Sequence, residues 1–251
     1  SGLGRAFVEV SIFSEQGEIA PRTFTIKANS YISMRLASLA PGSKKIAIHV
    51  LTRSGRVNGF VVDERAKGLK SLGGDLINPV HEPQKLITIP AIPQSVTRRG
   101  PVGHTLRLLV PGDVKARISA EIRSKDGTFA PAGIDGRVIA NKRIIEIPLK
   151  IEMAKGMFAL RISSDQPLVA AVYSSTSEQA KKDFIWSTAA DELTPFTLAT
   201  SGVAPTLVFT GRDIKLQLEL LNSNGSAKTI VITGQDIATY EVPDGVQGVS
   251  F

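Results

Sequence analysis

The chain has 251 residues, 42% of them hydrophobic and 21% charged, with a net charge of +7 and no cysteine. That length holds one large or two ordinary domains, and the missing cysteine excludes disulfides and Cys-ligated zinc or iron–sulfur sites. No apolar run reaches the ~18 residues of a membrane span, and the basic balance favours anionic partners such as an acidic polymer or lipid surface.

Residues 6–13 alternate, with Ala6, Val8, Val10 and Ile12 on one face, which reads as a half-buried strand. A turn at Ser14–Gly17 leads to a second strand at 24–28, and Asn29-Ser30 turns into a third at Tyr31–Leu36. Residues 46–51 and 57–62 read as a hairpin, followed by a Gly-rich stretch at 67–74. Segments 75–78, 86–90 and 106–110 are further strands, with a loop from Pro93 to His104.

The plan then repeats. Residues 115–124 form a long strand, Lys125-Asp126-Gly127 turns it, and strands follow at 137–140 and 143–149. Residues 158–162 and 168–173 read as a pair around Ser164–Pro167. Pro131 lies 110 residues after Pro21, Ala159 lies 112 after Ala47, and Asp183 lies 108 after Asp75. A third, shorter copy opens near Thr206 and runs through 216–221 and 230–232. The division that follows is 1–104, 105–205 and 206–251: a first unit lacking its first strand, a second unit, and an incomplete third. The incomplete first and third units lead to the expectation of a segment from a longer array, and the start, Ser1-Gly2-Leu3, with no Met and no signal peptide, reads as a processed end or an artificial boundary.

About seven short strands per ~100 residues, with Gly, Asp and Asn turns between them, predict an all-β protein of tandem immunoglobulin-like antiparallel β-sandwich repeats. The alternative splits each unit into two blades of a β-propeller; half of a ~110-residue unit is slightly long for a blade. Helix is expected only as single turns at 151–155 and 191–194.

The succession Pro111-Gly112-Asp113, long strand, Asp126-Gly127 turn, Ala140-Asn141 turn, the run 158–172 and Asp183-Phe184-Ile185-Trp186 resembles an actinobacterial envelope family of unknown function. That family is built of extracytoplasmic immunoglobulin-like repeats behind an N-terminal membrane anchor, and the likeness is clearest over 105–200. It implies an exported, membrane-anchored protein, with the anchor outside this chain. No catalytic residues are established for such a family, so none is carried over.

The residues themselves offer little chemistry. The three histidines are His49, on the polar face of a strand, and His81 and His104, read as loop residues; no Gly-x-Ser-x-Gly elbow accompanies them. No cofactor or metal motif is present, and neither Gly73-Gly74 nor Gly211-Arg212 makes a phosphate loop. Asp75 and Asp183 recur at one position of the repeat, which points to a structural task such as accepting backbone N–H bonds. Too few aromatics interleave with basic residues for a nucleic-acid surface. The candidate ligand surface is Trp186 and Tyr173 with Lys181, Lys182, Arg98 and Arg99. The reading is therefore a non-enzymatic envelope module whose loops and edges meet a protein partner, an anionic cell-wall polymer or a membrane surface. A glycan-binding accessory domain built on Trp186 is the alternative.

Overall fold

The structure, a computed structural model, describes residues 2–80, 82–97, 100–153, 155–178, 181–200 and 204–251. The first stretch holds β1 (Ala6–Ser14), β2 (Glu18–Ile26), one turn of helix α1 (Leu36–Leu39), β3 (Ile46–Ser54), β4 (Val61–Lys67), β5 (Lys70–Ile77) and β6 (Gln84–Gln94). There follow β7 (Val96–Thr97), β8 (Gly100–Pro101), β9 (Gly103–Leu109), β10 (Ala116–Ser124), β11 (Gly127–Phe129), β12 (Arg137–Ile139), β13 (Ile144–Leu149), β14 (Gly156–Glu178) and β15 (Lys181–Thr188). The chain closes with β16 (Thr197–Ala199), β17 (Thr206–Thr210), β18 (Ile214–Asn222), β19 (Ala227–Gly234), β20 (Ile237–Glu241) and β21 (Val246–Ser250). The protein is all-β with several antiparallel sheets, and the described residues show no propeller.

The repeat is visible in the strand pairing. β1 lies between β2 and β3, β10 between β11 with β12 and the first half of β14, and β18 between β19 and β21. Register repeats too: Ser14 pairs with Ile46, and Ser124 with Phe158. So does the turn. The Ser14 hydroxyl donates to the Gly17 carbonyl at 3.1 Å and accepts the Gln16 N–H at 3.1 Å. The Ser124 hydroxyl donates to the Gly127 carbonyl at 3.1 Å and accepts the Asp126 N–H at 3.2 Å. Gly17 (φ 145°) and Gly127 (φ 117°) take the backbone geometry that a side chain resists.

The central unit is two sheets sharing one strand. Its first sheet orders β11 and β12, β10, β14 and β6; its second orders β13, β9, β14 and β15. β14 belongs to both, and its pairing with β6 jumps from Ser163 to Leu168. Pro167, which has no N–H to give, sits in that jump. Alternate residues of both sheets, among them Ile89, Leu106, Leu108, Ile118, Ile122, Phe158, Leu160, Ile162 and Val172, fill the core. The β6–β14 ladder carries hydrogen bonding across the 104/105 division. Smaller clusters serve the first stretch (Val8, Val10, Ile12, Leu39) and the last (Leu218, Leu220, Val242, Val249).

Five local expectations change, the first at the expected loop 93–104, which holds the end of β6, β7, β8 and the start of β9. Residues 158–162 and 168–173 are one continuous strand rather than two arms of a hairpin, because Ser164–Pro167 hands the strand from one sheet to the other without reversing it. Residues 46–51 and 57–62 do not pair; β3 lies on β1, while β4 pairs with β5, which turns the Gly-rich 67–74 into a hairpin. Tyr31–Leu36 is not a strand. Its counterpart β13 is held by β9, and no such neighbour lies beside it among the described residues. The single-turn helices expected at 151–155 and 191–194 are absent from the described residues there, and the one helical turn is α1.

Phe158 is fully buried at the centre of the shared strand. Phe158→Ala is expected to destabilise the central unit by about 3–5 kcal/mol, read by urea unfolding followed through Trp186 emission. A loss under about 1 kcal/mol would contradict this placement of the core.

Candidate functional site

The polar groups converge where the β4–β5 hairpin lies on the outer face of the second central sheet. In β14, Val172 and Ser174 point into the core, so Tyr173 points out. The ladder sets Tyr173 opposite Trp186 and Ser175 opposite Phe184, which gathers three aromatic rings. Tyr173 lies 5.2 Å from Trp186 and 5.5 Å from Phe184, ring centre to ring centre. Farther along the face, β9 and β13 pair Arg107 with Glu146.

β4 inserts Asp63 and Arg65 into this surface. The Trp186 indole N–H donates to Asp63 Oδ2 at 3.0 Å, and Arg65 Nη2 donates to the same carboxylate at 2.8 Å. Arg65 Nη1 donates to the Tyr173 hydroxyl at 2.9 Å. Its guanidinium lies 4.6 Å from the Tyr173 ring and 4.4 Å from the Phe184 ring. Arg107 covers Trp186 at 4.7 Å, donates to Glu146 at 2.6 Å, and leaves the second Glu146 oxygen to Lys45 at 2.7 Å. Arginine suits this role because its flat cation stacks on rings while its edge serves carboxylates.

The recurring aspartates close the contact. Asp75 accepts the Trp186 backbone N–H at 2.6 Å and the Leu76 N–H at 2.9 Å. Asp183 accepts the Phe184 N–H at 2.9 Å. An Asp75 carboxylate thus bonds to a backbone N–H of the edge strand β15. Gly73 (φ 107°) lies so close that a Cβ there would come within 2.5 Å of Asp183 Oδ1. Here the glycine serves close packing between hairpins.

Burial raises the Asp63 carboxyl, but the Arg65 and Trp186 hydrogen bonds outweigh it and leave its pKa below the usual 3.8. Burial likewise opposes Lys45 and Arg107 at Glu146, which ends below the usual 4.5. Both carboxylates are ionised and engaged at neutral pH, with neither held protonated for acid catalysis.

A second polar group is buried inside the central unit. His104, read from sequence as a loop residue, lies in β9 and is 3% exposed. Its Nδ1 is 2.8 Å from Ser174 Oγ, its Nε2 meets Gln94 Oε1, and its ring stands edge-on to Phe158. Burial lowers its pKa to about 4. The Ser174 hydroxyl is itself buried, so this serine–histidine pair lacks a path for substrate. Sequence reasoning missed it because the Ser174 partner lies 70 residues away in the chain and Gln94 lies on a separate strand. The alternation Val102, His104, Leu106, Leu108 was the available signal, since it places His104 on the apolar face.

Of the candidate surface residues, Trp186 and Tyr173 come together as described. Lys181 and Lys182 stand at the start of β15, paired with Glu178 and Ser177, and their side chains lie outside the described set. Arg98, Arg99 and His81 lie outside the described residues. His49 is exposed on β3. Asp63, Arg65 and Arg107, which complete the cluster, carried no motif. No group of three or more potential metal-ligating residues occurs among the described residues. No helix there is long and apolar enough to cross a membrane. An open depression of about 420 Å³ between Pro83, Pro111, Val114 and Pro167 has only Glu82 and Gln166 as polar side chains.

The class defined is an all-β protein of repeated, sandwich-like antiparallel units, with an arginine–aromatic–carboxylate cluster between two of them. The chain belongs to a family described as Family of unknown function (DUF5719), whose model matches residues 2–241. Among solved structures it is similar to the crystal structure of Thermotoga maritima 1070, at 13% identity, covering 44% of this chain and 96% of that one, with a TM-score of 0.36. No curated protein matches it.

Asp63→Ala removes the acceptor shared by Trp186 and Arg65. It is expected to cost about 1–3 kcal/mol and to shift Trp186 emission to the red; unchanged emission and stability would refute the contact. His104 gives a pH signature of known sign. Its folded pKa of about 4 lies below its ordinary 6.5. Its contribution is therefore complete above 6.5 and lost as pH falls towards 4, by up to about 3 kcal/mol. Unfolding free energies measured across that window should decline, and His104→Gln should flatten the decline.

Proposed function

We propose that this chain is a non-enzymatic structural and interaction module of the bacterial cell envelope. It presents sandwich loops and strand edges to a protein partner or an anionic surface polymer. The observation that carries this reading is the cluster between the β4–β5 hairpin and the central unit. Its ionised groups are engaged with one another, and its rings are covered by Arg65 and Arg107. Such an arrangement fixes one unit on the next and leaves turns and edges as the contact surface. The net charge of +7 supports an anionic partner. The finer reading belongs to the same proposal: an extracytoplasmic actinobacterial protein of immunoglobulin-like units, tethered to the cytoplasmic membrane by a segment outside this chain.

The adjacency of Tyr173 and Trp186 favours a second reading, a glycan platform with Lys181 and Lys182 beside it. Against it, the indole N–H is bonded to Asp63 and a ring face is covered by Arg107.

Titration with an anionic wall polymer or acidic vesicles separates the possibilities. Binding is expected to weaken at least about tenfold between 50 and 500 mM salt, as screening shortens the reach of exposed charge. It should also fall in a Lys181→Ala, Lys182→Ala double variant. Absent or salt-insensitive binding would remove the anionic partner. Loss of binding to an uncharged glycan in Trp186→Phe, with folding intact, would favour the platform instead.

A further inference from the structure

We infer that the protein associates with a second copy of itself: the tip of the β4–β5 hairpin, Leu69 with Lys70 beside it, enters the depression between Pro83, Pro111 and Pro167 of the other copy. The inference rests on the interaction-module reading and deepens it by naming one protein partner and the two surfaces that meet.

The tip projects a single apolar side chain. Lys67 of β4 pairs with Lys70 of β5, so Gly68 and Leu69 are the whole of the turn. Gly68 (φ 61°) takes the first central position, the place of glycine in a type II′ hairpin turn. Turn positions ordinarily carry small or polar residues, yet the second is Leu69, fully exposed. A Cβ on Gly68 would meet nothing within 4 Å, so the tip is narrow as well as apolar. Lys70 is exposed and enters no ion pair among the described residues.

The depression, of about 420 Å³, belongs to the central unit. The β9–β10 turn supplies Pro111 and Val114, the handover in β14 supplies Gln166 and Pro167, and the lead into β6 supplies Glu82 and Pro83. Its three prolines have no N–H, so the walls are largely carbon. Asp113, in the same turn as Pro111, is already held by Lys142 at 2.7 Å, whereas Glu82 is exposed and pairs with no cation among the described residues. One carboxylate is left at an apolar hollow, which complements one ammonium beside an apolar tip.

The two features cannot meet within one molecule. β15 pairs with β14 from Ala171 opposite Thr188 to Glu178 opposite Lys181. β5 runs alongside β15 in the same direction, with Gly73 against Asp183 and Asp75 bonded to the Trp186 N–H. The tip before Lys70 therefore stands at the Glu178 end, and the depression at Pro167 lies beyond the other; the extended chain between them spans about 35 Å. Because the surfaces that meet are unlike, the contact closes when two copies lie antiparallel and use it twice, and otherwise extends head to tail. One inserted side chain makes a weak joint, so association is expected at or above ~100 µM, or where copies crowd on a surface and effective concentrations reach ~1 mM.

Sedimentation velocity of the 251-residue protein from ~10 µM to ~1 mM should show mass growing with concentration, and less so at high salt. Leu69→Ser and Glu82→Lys alter exposed positions only, and each should fold and weaken association at least ~10-fold. Lys70→Glu should weaken it as well, and combining Lys70→Glu with Glu82→Lys in one chain should restore it. An equimolar mixture of the Leu69→Ser and Glu82→Lys proteins should associate where neither does alone and stop at the dimer, because one intact tip then meets one intact hollow. A protein that stays monomeric throughout, or whose association is untouched by Leu69→Ser, overturns the contact. Polymer binding is a separate readout: a monomer that still binds the polymer leaves the module reading standing, and loss of both removes it.

Discussion

The central unit depends on one strand serving two sheets. β14 runs from Gly156 to Glu178 and is paired with β6 and β10 in its first half and with β9 and β15 in its second. A strand of that length satisfies its backbone only if neighbours flank it nearly throughout, since buried unpaired N–H and C=O groups are costly. The handover at Ser164–Pro167 is where the ladder is interrupted, and Asp165 compensates by accepting the Arg117 N–H at 2.8 Å. Each sheet thereby fixes the position of the other, and the core between them is built from both halves of the same strand.

The cluster at the hairpin follows from that scaffold. Because β14 and β15 are held in register, Tyr173, Phe184 and Trp186 form a firm surface, and β4 needs only two polar side chains to engage it. Partly buried ion pairs contribute little net stability once desolvation is counted, yet they penalise every arrangement that leaves a charge unpaired. The Asp63–Arg65 pair lies within β4 and would travel with a shifted hairpin, but the Trp186 indole N–H and the Tyr173 hydroxyl would lose the partners they have there. The cluster therefore selects one docking geometry more than it strengthens it.

Alternation and spacing made the fold legible. The strands around Val8–Ile12, Ile118–Ile122 and Leu216–Leu220 follow from period-two burial, and the repeat offsets matched the observed register at Ser14 and Ser124. What escaped was non-local. Whether 158–162 and 168–173 form a hairpin or one strand depends on which neighbours accept their hydrogen bonds, and local pattern is the same in both cases. The site was half legible: aromatic residues at 173, 184 and 186 were conspicuous, whereas Asp63 and Arg65 acquire meaning only when β4 is laid over them. His104 was misplaced because its Pro- and Gly-rich neighbourhood outweighed the alternation that continues through it.

Comparison of edges within the chain shows where contacts with other molecules are permitted. Exposed strand edges invite pairing, and charge or proline along them discourages it. β2 carries Glu18, Pro21 and Arg22, β3 carries His49 and Arg53, β13 carries Glu146 and Pro148, and β19 carries Lys228. β17, Thr206–Thr210, pairs with β20 alone among the described strands and bears no charge. The described strands thus differ in how their edges are guarded, and an uncharged edge such as that of β17 is the kind that pairs readily with another strand.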